Sequence, residues 1–276
     1  MPGNLAWVRN IHGTTQPWLV ASEDHLNSQE QPRLFLLKNF CKGDERARIV
    51  EYVCARFACE LDIGAPQVEL LQLRPELLAN LSRFSPDAHG LSRAIPGFHL
   101  GIAWHENAVE LAQHEDALSS LAAPAQIGGI IACDTCLQNI DRHRGNLLLR
   151  PHVDRSKARQ ALVPIDWGAC FNAVEPSATD LMPIRERRTV YSSRFLMEIV
   201  KDRTSFSRVL KKLENWSGQP TKMRFLIEHV PQEWNVPTLW RDALIEHLLR
   251  RVDITLEIFS AKDVLARMFP NWQYSL

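Results

Sequence analysis

Apolar residues recur along this chain at two different periods, and the change from one to the other divides it. Short apolar runs bounded by polar, Gly or Pro residues predict strands at 7–10, 18–21, 33–40 and 67–73. Residues 44–63 instead place Ala47, Val50, Val53, Cys54, Phe57, Ala58 and Leu61 at helical spacing, and Gly64, Ala65 and Pro66 end that helix. Residues 23–32 are polar and 79–92 are rich in Ser, Pro, Asp and Gly, so both predict loops. From His105 onward strand signals become rare. Helices are expected at 106–121, 124–137, 189–201, 205–216, 222–229 and 239–259, with Pro231 and Pro237 as punctuation. The exception is a hairpin, 147–150 against 161–165. A β-rich first quarter, a hinge at Pro75 and a helical remainder predict an α+β, two-lobed fold. The N-lobe would span 1–74 and bind nucleotide, and the C-lobe would span 75–276.

Composition narrows the classes without choosing among them. The 276 residues carry 32 basic and 32 acidic side chains, a formal net charge of zero. No global field then favours nucleic acid or an anionic membrane, and direct nucleic-acid binding is not expected. No apolar run nears the roughly 20 residues of a membrane helix, and residues 1–7 lack a signal-peptide pattern. Six sparse cysteines suit a reducing cytoplasm better than a disulfide framework.

The chemistry concentrates between Asn139 and Gly168. There the chain reads N-I-D-R-H-R-G-N, then Leu147, Leu148 and Leu149, a polar insert, and L-V-P-I-D-W-G. Phosphoryl transfer from a metal-bound nucleotide needs one carboxylate to orient the acceptor hydroxyl. It also needs an amide oxygen and a second carboxylate to hold Mg²⁺ against the phosphates. Asp141 fits the first role, and Asn146 with Asp166 fits the second. Arg142 and His143 either support the loop or contact the γ-phosphate. Asp134, one helical turn earlier, is placed to brace the loop.

Upstream residues complete the set. Lys38 lies inside an apolar strand, where a buried ammonium needs an anionic partner. It either binds the nucleotide's α- and β-phosphates or reaches water from an edge strand. Glu51, mid-helix, is the candidate to orient it, against a solvated glutamate beside Arg48. The turn 12–17 offers Gly13, Thr14 and Thr15 to phosphate oxygens, or is an ordinary hairpin tip. Backbone groups near Gln72 and Leu73 are placed for adenine, and 95–104 for the far wall of the cleft. Two other patterns compete. Cys133 and Cys136 form a C-x-x-C, but no second cysteine pair follows and His143 and His152 are badly spaced, which favours buried thiols over zinc. Arg185–Arg188 (R-E-R-R) faces either an acidic substrate or solvent.

These residues carry a resemblance. N-I-D-R-H-R-G-N-L-L-L is similar to the N-x-D-R-H-x-x-N catalytic loop of the HipA-like kinase group, relatives of the HipA toxin kinases whose core is shared with phosphatidylinositol kinases. V-P-I-D-W-G resembles the group's metal-binding I-D-x-G. H-G-T-T-Q-P-W-L-V followed by F-L-L-K resembles its phosphate loop and lysine strand. V-E-Y-V resembles its glutamate helix, and V-P-Q-E-W (230–234) a Pro-x-x-Trp element of its shorter members.

The resemblance implies a two-lobed protein-kinase-like fold that uses ATP and Mg²⁺ to phosphorylate Ser or Thr of a protein. Lipid or small-molecule acceptors, or a pseudokinase acting as an interaction module, are the alternatives. It makes Asp141 catalytic, Asn146 and Asp166 metal-binding, Lys38 the phosphate lysine and Glu51 its partner, and it suggests an antitoxin-like partner. The chain departs from the group in its single loop glycine and in lacking room for the toxin kinases' extra N-terminal subdomain. Thr14 or Thr15 stands where those kinases autophosphorylate a serine.

Overall fold

Strand β1 (Leu5–Asn10) pairs antiparallel with β2 (Trp18–Ser22), and β2 with β3 (Leu34–Lys38). The computed structural model describes residues 5–10, 17–22, 33–38, 41, 45–84, 90–113, 124–151, 160–171 and 178–273. The turn holding Gly13, Thr14 and Thr15, and His152, lie outside the described residues. Helix α1 (Glu45–Glu60) leads to β4 (Val68–Leu73), α2 (Pro75–Phe84) and β5 (Gly97–Ala103). The first sheet has five strands in the order β1-β2-β3-β5-β4, so β5 enters between β3 and β4.

Alternation along these strands assigns the two faces of the sheet. Phe35, Leu37, Leu71 and Leu73 join Trp18 and Val20 in a small core closed by Leu77, Leu78 and Leu81 of α2. The intervening positions Leu36, Val68, Leu70, Leu100 and Ile102 face α1 and belong to the main core, which continues into the rest of the chain. The buried stripe on α1 is therefore shared by both lobes.

This topology corrects several expectations. The first sheet runs on to Ala103, so the lobe boundary falls well after residue 74. Pro75 is the first residue of α2, where its missing N–H costs nothing, and is no hinge. Residues 79–84, expected as loop, complete α2 because leucines at helical spacing cap the sheet's small core. Over 106–113, the described part of the helix expected over 106–121, stand instead a short strand β6 (Val109–Glu110) and a 3₁₀ turn (Leu111–Gln113). The strand supplies ladder partners to an edge that would otherwise lack them.

The second sheet orders β6 against β7 (Leu147–Pro151) and β7 against β8 (Gln160–Pro164), the hairpin the sequence predicts. Helix α3 (Pro124–Leu137) is the axis of the C-lobe, buried on all sides from Ile127 to Leu137. Its Gly128 allows the 3₁₀ turn Arg203–Phe206 to approach, since a Cβ there would lie 2.1 Å from the Ser205 carbonyl oxygen.

Helices α4 (Ala178–Arg185), α5 (Arg194–Met197), α6 (Ser207–Glu214), α7 (Pro220–Glu228), α8 (Thr238–Ser260) and α9 (Lys262–Met268) complete the lobe. Only Arg194–Met197 of the helix expected over 189–201 forms. Instead, the Thr135 hydroxyl holds Tyr191 in extended chain by accepting from its N–H at 3.2 Å.

His247 of α8 is buried among these helices. Its Nδ1–H donates to the Leu181 carbonyl at 3.2 Å, its ring meets Phe171 edge-on at 5.3 Å, and Nε2 has no partner among the described residues. Burial first, and then the Arg251 charge, depress this imidazole from 6.5 to about 3. It is neutral in the fold, whereas the unfolded chain takes up a proton near 6.5. The sign follows: this stability is complete above the unfolded value and drains as pH falls toward the folded one, by up to ~1.4 kcal/mol per pH unit. Urea titrations of His247→Leu are expected to show a shallower loss of stability than wild type between about pH 6 and 4. Equal slopes would contradict the assignment.

Candidate active site

A buried ion pair sets the loop between α3 and β7. The Arg142 guanidinium lies against Asp134 of α3, with Nε 3.0 Å from Oδ2 and Nη2 3.1 Å from Oδ1. Its Nη1 donates to the carbonyls of Asn146 (2.7 Å) and Ile165 (2.6 Å), and the Trp167 ring packs on its face at 4.6 Å. Burial works against both charges. The Asp134 carboxylate nevertheless keeps Arg142 above its usual range, while burial lifts Asp134 somewhat.

The same carboxylate accepts from Asn139 Nδ2 (3.0 Å), and Asn139 Oδ1 accepts from the Asp141 N–H (3.0 Å). Asp134 thus braces the loop in the manner its spacing suggested. Of the two roles open to Arg142, the geometry fits loop support and not contact with a phosphate in the cleft: it is buried beneath the loop with its donors committed, and it does not line the cleft.

Above this brace, Asp141 and His143 stand in the open, their side chains 58% and 60% exposed. The Gly145 N–H donates to His143 Nδ1 at 3.0 Å, so in the neutral ring the hydrogen sits on Nε2, 3.8 Å from Asp141 Oδ2. Asn146 is fixed from below, its Nδ2 donating to the Asp141 carbonyl (2.8 Å) and carboxylate (3.3 Å). That leaves its amide oxygen for another partner.

Lys38, at the end of β3, lies between two carboxylates, 2.8 Å from Glu51 Oε1 and 3.1 Å from Asp166 Oδ1. Burial alone would depress its ammonium, but Glu51 and then Asp166 outweigh burial and hold it above its usual value. Asp166 responds in the opposite sense. Burial would raise it, yet Lys38 and a Gly168 backbone hydrogen bond keep it below the ordinary carboxylate range. Its backbone sits at φ 59°, the left-handed region that a non-glycine residue adopts at a cost. That turn follows β8 and points the carboxylate back toward Lys38.

Lys38, Asp141, His143, Asn146 and Asp166 border one cleft of about 450 Å³ between the lobes. Its apolar walls are Leu36, Ile102, Val163 and Ile165, and Trp104 and His105 close the end where β5 leaves the first sheet. This volume is within the usual range for a small-molecule site. Gln72 and Leu73 are corrected. They pair with Phe98 and Gly97 at the opposite end of β5, and neither lines the cleft. The stretch 95–104 reaches the cleft only through its last residues. Trp104 and His105 escaped the adenine reading because nothing local marks the strand that precedes them as internal to the sheet.

The cleft's donors suit Mg²⁺, a hard cation bound by one or two protein oxygens and completed by phosphates and water. Asp166, kept ionised, and the Asn146 amide oxygen are such donors. Among the described residues no group of three or more His, Cys, Asp or Glu side chains could hold a metal ion. Cys133 and Cys136 are free, buried thiols, and burial raises both. The basic run is tied down on α8: Glu186 pairs with Arg250 at 2.7 Å, and Arg188 pairs with Glu257.

Removing Asp134 strands a buried guanidinium. Asp134→Ala is expected to destabilise the fold by about 3–5 kcal/mol in urea unfolding. A loss below about 1 kcal/mol would show that the pair does not brace the loop.

Comparisons place this geometry. Residues 124–231 match the family model described as phosphatidylinositol 3- and 4-kinase. No curated protein matches the chain in sequence. Among solved structures, the Helicobacter pylori proinflammatory kinase CtkA aligns with 92% of this chain and 95% of its own, at TM-score 0.54 and 12% identity. The open conformation of CtTel1 aligns over 97% of this chain and 12% of its own, at 12% identity and a TM-score of 0.41. With a curled β-sheet lobe and a helical lobe around one cleft, the chain has a two-lobed kinase-like α+β fold.

Proposed function

We propose that the protein is an ATP- and Mg²⁺-dependent phosphotransferase of the HipA-like type, moving the γ-phosphoryl group to a serine or threonine hydroxyl of a protein. The observation that carries this reading is Lys38, held between Glu51 and Asp166 at the border of a cleft that also takes in Asp141 and Asn146. The match of residues 124–231 to a kinase family and the CtkA-like fold support the same chemistry.

In this reading Lys38 binds the α- and β-phosphates, and Glu51 keeps its ammonium aimed into the cleft. Mg²⁺, held by Asp166 and the Asn146 amide oxygen, would neutralise charge developing on the phosphates. Asp141 accepts a hydrogen bond from the acceptor hydroxyl and aligns its oxygen for attack. The Nε2–H of His143 beside it can steady that carboxylate or the transferring group. Trp104 and His105 replace Gln72 and Leu73 as the residues beside the base. Thr14 or Thr15 remains the proposed site of autophosphorylation.

A lipid hydroxyl is a second acceptor, favoured by the phosphatidylinositol-kinase match. Both acceptors use the same cleft and are separated by supplying each with labelled ATP.

Two measurements test the proposal. Mg²⁺ with ATP is expected to raise thermal stability, by about 2.7 kcal/mol at a hundredfold excess over Kd. Asp166→Ala should lose that shift, and no shift in wild type at millimolar nucleotide would contradict nucleotide binding. Asp141→Ala should keep the shift while transfer falls on the order of a thousandfold. Full transfer activity in Asp141→Ala would remove Asp141 from its role.

A further inference from the structure

The C-lobe turn Gln232–Trp234 reaches across to the first sheet. Trp234 is buried, and its Nε1–H donates to the Phe98 carbonyl at 2.7 Å. The neighbouring Glu233 carboxylate accepts from the Phe98 N–H, so one turn takes both backbone groups of a single β5 residue. Gly97 makes this possible: it sits at φ +131°, and a Cβ there would stand 2.6 Å from Glu233 Oε1.

The Trp234 ring also meets α1. Tyr52 packs edge-on at 5.7 Å, and the Arg48 guanidinium lies 5.2 Å from the ring. Arg48 in turn donates to the Cys41 carbonyl at 3.3 Å, just past Lys38. Tyr52 adjoins Glu51, so this one turn touches the helix that carries Glu51 and the start of β5, and through Arg48 it reaches the exit of the strand that carries Lys38.

The chain itself joins the lobes at the other end of β5, after Ala103. From Phe98 to Ala103 the strand runs about 17 Å at ~3.3 Å per residue. The turn pins the end of β5 remote from that crossing, adding to the core that α1 already shares with the C-lobe, and so resists a swing of the first sheet about the crossing.

We infer that the Gln232–Trp234 turn is a clasp that fixes β5 and α1 against the C-lobe, making Glu233 and Trp234 positioning residues for the Lys38–Glu51 pair. The consequence for nucleotide affinity rests on the function proposed above, whereas the mechanical claim does not.

Hydrogen exchange of the full chain, read by mass spectrometry on α1 and β5 peptides, separates the two. In Trp234→Phe and Glu233→Ala, α1 amides are expected to exchange about tenfold faster while α8 amides keep their wild-type rates. Affinity for Mg-ATP should fall about tenfold, equivalent to ~1.4 kcal/mol. Glu233→Gln retains a carbonyl acceptor for the Phe98 N–H and should stay within about twofold of wild type. Unchanged α1 exchange in the folded variants would overturn the clasp, as would equal acceleration throughout α8. If wild type binds no Mg-ATP, the proposed function fails, and α1 exchange alone decides the clasp.

Discussion

The Asp134–Arg142 pair is the constraint on which the candidate site depends. A buried guanidinium keeps its charge, so leaving it without a facing carboxylate is costly, and its remaining donors need nearby carbonyls. Those carbonyls belong to Asn146 and Ile165, which flank the β7–β8 hairpin on either side. One side chain therefore ties α3, the loop and the residue before Asp166 into a single unit. Desolvation makes this arrangement costly to form and costly to break. The resulting rigidity lets Asp141 and His143 stand exposed on a short loop and still have defined positions.

The second half of the site is built from the other lobe, and there the governing element is β5. By entering between β3 and β4 it aligns Lys38 opposite Leu100, and its last residues deliver the chain to the cleft. Helix α1 lies across the same sheet and shares the C-lobe's core, so Glu51 is held from both sides. Lys38, Glu51 and Asp166 come from three distant segments and meet only because these two elements fix the lobes relative to each other. The charge balance is local: two carboxylates around one ammonium keep the buried lysine charged, and the lysine keeps the partly exposed Asp166 ionised.

Much of this was legible in the chain. The stripe on α1, the apolar helix α3 and the β7–β8 hairpin are short-range patterns, and each formed within a few residues of its expected bounds. The D-x-x-x-x-N spacing and the aspartate ending an apolar strand also depend on nearby backbone geometry. Lys38 within an apolar run announced a need for an anionic partner, and two carboxylates meet it. What failed to read correctly was non-local. The start of the helix expected over 106–121 gave way, at 109–110, to a strand because an edge of β7 needed ladder partners, a demand that its own residues do not express.

By itself, then, the sequence determined the proposed site residues and the elements that hold most of them, because side-chain type and periodicity act over a few residues. The tertiary structure alone decided where the lobes divide, since sheet order follows from pairing between distant strands. It also decided that Arg142 is a buried strut while its neighbours Asp141 and His143 face the cleft. Loop residues have no periodicity from which burial can be read. For the same reason only the fold gives a role to Gly97, Glu233 and Trp234: they matter through a contact between segments 136 positions apart.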